Sequence, residues 1–255
     1  MSAAVNNHLI SQTLSTKRSL NDIKAALMAD LEPMGFHAFT YEGIPFRVID
    51  DIHAPSESRL FKLSHIAKAK TSLSSCEEEF QLHKAFLSHL REGDLTPRRD
   101  QIFSQPVFYF LENLEVARAH GDTNFNSSIS LPITAFCSSE WGTMFSLKSW
   151  RKETDMQRWY ADKQHELCSL LFSYHLEFML FYRELFNPYL QMGVFSQKTL
   201  KILRMAADGY TGKRICDQLC MSERGVDYHF ELLRQKLQAK NRLHLIKIAE
   251  QLQIT

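Results

Sequence analysis

The chain has 255 residues, 44% hydrophobic and 23% charged, with a formal net charge of +1, a soluble globular composition with room for one large domain or for two. Nothing approaches eighteen consecutive apolar residues, which excludes a membrane-spanning helix, and the opening MSAAVNNHLISQTLSTKRSL lacks the basic start and apolar core of a signal peptide, so a cytoplasmic protein is expected. The cysteines Cys76, Cys137, Cys168, Cys216 and Cys220 are odd in number and loosely spaced, which argues against a disulfide framework and a zinc site; no metal is expected.

Residues 1–17 read as loosely ordered. The stretch KRSLNDIKAALMADLEPMGF follows as an amphipathic helix, with Leu20, Ile23, Ala26, Leu27 and Leu31 at helical spacing and Pro33 and Gly35 at its end. HAFTYEGIPFRVI is strand-like with a Gly-Ile-Pro interruption, and CEEEFQLHKAFLSHLREGD is a second helix. PVFYFLENL, SSISLPITAF and GTMFSLKSW are three short β-rich runs. One long helical pattern then runs from Asp155 to Phe186 and ends near Asn187-Pro188. This order implies an antiparallel sheet with helices packed on its faces. NPYLQMGVFSQ reads as a hinge, giving a domain over 18–187, a linker over 188–194 and a second domain over 195–255.

The last 61 residues change character. From Phe195 to Thr255 there are 11 Lys+Arg against 6 Asp+Glu, a balance of +5, whereas residues 1–194 carry −4. A basic segment of this size suits a polyanion, or is chance variation in surface charge. Strands disappear and four short helices are expected. Ser196, Thr211 and Ser222 are their candidate N-caps and Gly209 a C-cap. The tight turn Met221-Ser222-Glu223-Arg224 between the second and third makes a helix-turn-helix. The third helix puts Val226, Phe230, Leu233 and Leu237 on one face and leaves Asp227, Tyr228, Glu231 and Arg234 elsewhere. Such a helix fits a major groove, with its apolar stripe on its own domain and its outer face toward base edges.

This segment, from about Phe195 to Gln253, resembles the LuxR-type DNA-binding domain of bacterial transcription regulators. The resemblance rests on Leu203, Ala207 to Gly209, Lys213-Arg214-Ile215, Leu219, Ser222, Val226, His229 and Lys236-Leu237. Thr199, Gly225 and Gln238 depart from the family pattern, and a mid-helix glycine at 225 is expected to cost roughly 1 kcal/mol against alanine. The resemblance implies base contacts from Asp227, Tyr228 and Glu231. Lys213, Arg214, Ser222, Arg224, Arg234 and Lys236 are the candidates for phosphate contacts. A carboxylate facing DNA can only accept, and cytosine N4 is its natural partner. Alternatively Asp227 and Glu231 form a solvated face with Arg224 and Arg234. Symmetric half-sites imply a homodimer on double-stranded DNA, with the long helix and Leu243, Ile246, Ile248 and Leu252 as candidate apolar surfaces.

ARAHGDTNFNSSISLPI followed by WGTMFSLK resembles the quorum-sensing branch of the same family. That branch implies an N-terminal α-β-α sandwich enclosing an acyl-homoserine lactone autoinducer, so that the whole chain is α+β followed by an all-α helix-turn-helix domain. The branch's pocket motif of tryptophan, tyrosine, aspartate and second tryptophan is altered. Phe80 and Lys84 replace the first pair, followed by Asp94 and Phe110, and a rival register uses Phe86, Leu90 and Asp100. Phenylalanine has no N–H to give a lactone carbonyl. The pocket therefore holds a different, less polar signal, lined by Tyr41, Phe80, Asp94, Tyr109, Phe110, Ser130 and Trp141, or is filled by its own side chains: Phe36, Phe39, Phe80, Phe86, Phe108, Phe110, Phe136 and Phe145. No nucleophile elbow, phosphate loop or metal pair is found, so no enzyme and no cofactor is expected. The competing class is a ligand-independent orphan regulator or anti-activator acting through protein contacts.

Overall fold

The structure, a computed structural model, describes residues 17–46, 72–89 (backbone only at 86–89), 103–111 and 125–255. The expected loose N-terminus lies outside them up to residue 16. Ser19 caps helix α1, Leu20–Leu31, by accepting from the Asp22 N–H at 3.2 Å, and Ile23, Leu27 and Leu31 are its buried stripe. Glu32 to Gly35 turn the chain, with Gly35 at φ +82°.

Strand β1, Ala38–Pro45, follows, then β2, Leu73–Ser74, helix α2, Glu77–His89, and strands β3, Val107–Phe110, β4, Ser127–Ile133, and β5, Trp141–Ser149. The five strands form one antiparallel sheet in the order β2-β1-β5-β4-β3. The Gly-Ile-Pro stretch does not interrupt β1, because Pro45 falls on its last residue and its missing N–H breaks no inner rung. Pro132 sits in β4 beyond the point where β3 pairing stops, at Ser130, so its missing N–H breaks no β3 rung among the described residues.

Helix α3, Glu153–Phe181, crosses the sheet, and α4, Arg183–Phe186, and α5, Pro188–Gln191, follow. The single helix expected to reach Phe186 is broken at Tyr182, whose φ of −137° leaves the helical region. The Tyr182 hydroxyl donates to the Arg18 carbonyl, and Arg18 itself forks onto the buried Glu177. That tertiary anchor, with no proline or glycine at the break, is what local periodicity could not reveal.

Alternation along the strands sorts side chains onto two faces. One face packs on α3 and α4. Tyr41 has its ring 4.6 Å from Phe178 and 4.7 Å from Phe186, and Phe108 meets Tyr160 at 5.2 Å. Leu147, Phe145, Ile129 and Phe39 lie in the same apolar cluster. The other face is polar and lies under α2.

The C-terminal helices are α6, Gln197–Ala207, α7, Gly212–Leu219, α8, Glu223–Lys236, and α9, Arg242–Gln251. Ser196, Thr211 and Ser222 each accept the N–H three residues on, as their positions predicted; Asn241 does the same for α9. The expected hinge is a buried piece: Pro188, Tyr189, Leu190, Met192 and Val194 are all inside. Asn187, fully buried, accepts from the Tyr189 N–H and donates to the carbonyls of Leu252 and Gln253 at 2.8 and 3.0 Å. One amide thus joins the end of the sheet domain, the connecting helix and the end of the chain.

Candidate nucleic-acid interface and a polar sheet face

Helix α8 is anchored by the predicted stripe: Val226, Leu233 and Leu237 are buried and Phe230 half-buried, while α6 and α7 support it from behind. Its N-terminus starts at a cap, since Ser222 Oγ accepts the Gly225 N–H at 3.2 Å. Gly225 therefore lies in the first turn, where a Cβ would sit 3.3 Å from Met221 Cε and Ser222 Oγ. The mid-helix cost expected for it does not apply at this position.

The outer face carries Arg224, Asp227, Tyr228, Glu231 and Arg234, all exposed, with Tyr228 64% exposed, and Lys236 is exposed on the flank toward the connecting segment. They are not equivalent. Arg234 forks onto Glu231 at 2.8 and 2.7 Å, and Gln235 adds a third bond at 2.8 Å. Those partners hold the Glu231 carboxyl down to about 2. Asp227 makes no such pair among the described residues. Lys236 Nζ donates to the Val194 carbonyl at 2.8 Å, beside the Phe195 ring, and so holds the connecting segment. Lys213 and Arg214 are exposed in the first turn of α7. Thr199, where the family pattern has glutamate, is fully buried and bonds His229 Nδ1 at 3.0 Å and Ser196 Oγ at 2.8 Å. Burial, then Lys198, lowers the His229 pKa, which favours the neutral ring within the hydroxyl chain.

The described members of the expected pocket set lie on two faces of the sheet and on α2. Tyr41, Phe110 and Trp141 belong to the sheet face under α3, where Tyr41 Oη bonds His175 Nδ1 at 2.9 Å and burial pushes the phenol well up. Tyr109 and Ser130 belong to the opposite face by register, and Phe80 is half-buried on α2 with Lys84 Nζ 4.9 Å over its ring. Asp94 and the rival Asp100 lie outside the described residues, as does the Phe86 side chain. Of the phenylalanines expected to fill the interior, Phe36, Phe39, Phe110 and Phe145 are buried, but in the core shared with α3; Phe136 is 54% exposed.

The polar face has its own organisation, which the alternation of Thr40, Ser128, Ser130, Ser146 and Lys148 could have signalled. Ser74, Thr40, Ser146 and Ser130 lie side by side across β2, β1, β5 and β4. Ser130 and Ser146 share a 3.0 Å bond. Thr40 Oγ1 and Ser74 Oγ are buried without a hydrogen-bond partner among the described residues. Two pairs flank this row and tie α2 to the sheet: Lys148 to Glu79 at 2.8 Å and His83 to Glu42 at 3.0 Å. Burial lowers the His83 pKa, but Glu42 and Glu79 outweigh it and the net shift is upward.

Residues 193–254 match the family model "Bacterial regulatory proteins, luxR family". No curated protein sequence matches the chain. Among solved structures, SdiA of Escherichia coli aligns at 14% identity over 98% of this chain and 98% of that one, with a TM-score of 0.45. SdiA in complex with octanoyl-rac-glycerol aligns at 15% identity over 97% and 94%, also at 0.45.

Proposed function

The C-terminal domain belongs to the luxR family of bacterial regulatory proteins, and from it we propose that the chain is a transcription regulator that binds duplex DNA as a homodimer and is governed by a small signal at the polar sheet face. The observation that carries the DNA reading is α8. Its apolar stripe is fixed to α6 and α7, its N-terminus is capped, and its outer side chains are exposed as a set. In this reading Asp227 and Tyr228 meet base edges, since the other acid is already held by Arg234. Lys213, Arg214, Ser222 and Arg224 meet phosphates, and Lys236 positions the helix from behind.

The test is enrichment of a random duplex pool by the full chain, followed by titration of the selected site. Asp227→Ala should cost about 1–3 kcal/mol at one base pair and relax the preference there. A chain that enriches no sequence and binds no duplex refutes the reading.

Signal control is supported by the buried row of hydroxyls. Two of them have no partner among the described residues, and a buried polar group without a hydrogen bond costs about 1–3 kcal/mol. A ligand offering carbonyl or hydroxyl groups would satisfy them. Control would then be a shift between arrangements of the two DNA heads. Native mass spectrometry of protein from its own host, with organic extraction, tests this. A stoichiometric small molecule supports the receptor. An empty, folded dimer that still binds its site refutes signal control and leaves a ligand-independent regulator.

A further inference from the structure

Five arginines lie beyond residue 195: Arg204, Arg214, Arg224, Arg234 and Arg242. Arg204 is held by Glu184 at 3.5 Å and Arg234 by Glu231. Arg214 and Arg242 are exposed, and neither pairs with a carboxylate among the described residues. Both are nonetheless fixed. The Arg242 guanidinium lies 4.1 Å over the Phe230 ring and donates through Nη2 to the Tyr210 carbonyl at 3.4 Å. The Arg214 guanidinium lies 4.6 Å over the Tyr210 ring. Two cations from the first turns of α7 and α9 therefore converge on Tyr210. At about 100° per residue, Phe230 stands at the edge of the buried stripe nearest Asp227 and Arg234, so the pair lies along one flank of α8.

We propose that Arg214 and Arg242 form a preset clamp for one stretch of DNA backbone beside α8, with Arg242 a phosphate contact in its own right. The proposal rests on the DNA reading above. A guanidinium held over a ring keeps its remaining N–H donors available to a phosphate. Holding each side chain on a ring before DNA arrives reduces the entropy lost on binding. No carboxylate has to be displaced, in contrast to Arg234. Recognition of this kind is indifferent to sequence and sets register on the duplex.

The experiment uses the full chain and a fluorescein-labelled duplex of mixed sequence, titrated by anisotropy across a KCl series. Arg242→Gln and Arg214→Gln should each weaken binding to every duplex and reduce the slope of log K against log salt by about 1, and the double variant by about 2. Arg242→Lys, which keeps the charge and loses the fork and the stack, should keep the slope and lose affinity. Matching circular dichroism and melting of Arg242→Gln against the unsubstituted chain separates a lost contact from lost folding. An unchanged slope in a folded Arg242→Gln, when the unsubstituted chain binds, overturns the clamp and leaves Arg242 as cover for Phe230. Full affinity in Arg242→Lys overturns the stacked geometry as its basis. Failure of the unsubstituted chain to bind any duplex sinks the DNA reading, and the clamp with it.

Discussion

Gly43 offers the sharpest test of how the sheet meets the connecting segment. It lies in β1 and is not among the glycines with positive φ. An added Cβ would land on the Phe186 carbonyl oxygen, 2.9 Å from its carbon and 3.3 Å from Pro188 Cδ. Carbon–carbon contacts settle at about 3.5–4.0 Å, so the Phe186 carbon alone demands a parting of about 0.6–1.1 Å. The obstacle is backbone and cannot rotate away. A gap of about 0.5–1 Å forfeits a quarter to a half of each dispersion contact, and the Tyr41, Phe178 and Phe186 rings, 4.6 to 5.3 Å apart, sit at this seam. Overpacking costs about 1–3 kcal/mol, and an immovable partner puts Gly43→Ala near 3. At about 2–4 °C per kcal/mol for a chain of this size, the melting temperature should fall by about 6–12 °C. The sign is what makes the measurement decisive. Without the clash, alanine at an unstrained position stabilises by about 0.4–1 kcal/mol through the unfolded chain. Calorimetry showing Gly43→Ala as stable as the unsubstituted protein, or more so, would refute the close approach.

Three other outcomes follow from the geometry. His83 has a raised folded pKa, so the stability it contributes is full below its unfolded value of about 6.5 and lost as pH rises through the folded value. Melting compared between the unsubstituted chain and His83→Gln should show that loss, beginning above about pH 6.5, only where His83 is present. The comparison is needed because burial lowers the His175 pKa and gives the opposite trend, with stability lost as pH falls below about 6.5. Asn187→Asp replaces two donated bonds by a carboxylate against carbonyl oxygens. At about 1–3 kcal/mol for each buried group left unpaired, hydrogen exchange at Leu252 to Ile254 should rise by orders of magnitude, and unchanged protection there would count against the joint. Thr199→Ala should cost about 1 kcal/mol and shift the His229 Nδ1 resonance, read by NMR, because the 3.0 Å bond to it is lost; an unmoved His229 resonance would show that the hydroxyl chain is unimportant.

Caps, the apolar stripe of α8 and the strand runs were legible because each is local: a hydroxyl three residues before an N–H, or a period of 3.6 or 2. The ligand set was not. Tyr41 and Ser130 look alike as polar candidates on strands, yet cross-strand register puts them on opposite faces, and for Tyr41 that register is fixed by Phe145, about a hundred residues away. The pair of Arg234 with Glu231 is local and belongs to the solvated face that helical spacing allowed, whereas the bond from Lys236 to the Val194 carbonyl depends on a partner 42 residues away. Side chains long enough to reach several partners are decided by tertiary competition, which spacing does not encode. Tyr210 and Arg242 were missed for that reason. The break at Tyr182 and the short strand Leu73–Ser74 likewise depend on distant contacts rather than on propensity.

One apolar cluster runs without a seam from Ile23 in α1 through Tyr189, Val194 and Phe195 to Leu237, Leu252 and Ile254. The DNA-binding head is therefore not a detachable cartridge. A cut at the connecting segment would strip cover from Phe195, Leu252 and Ile254 and leave a sticky face on the excised piece. Grafting this head behind a foreign sensor would meet the same difficulty unless α5 and the strand it lies on were carried across with it.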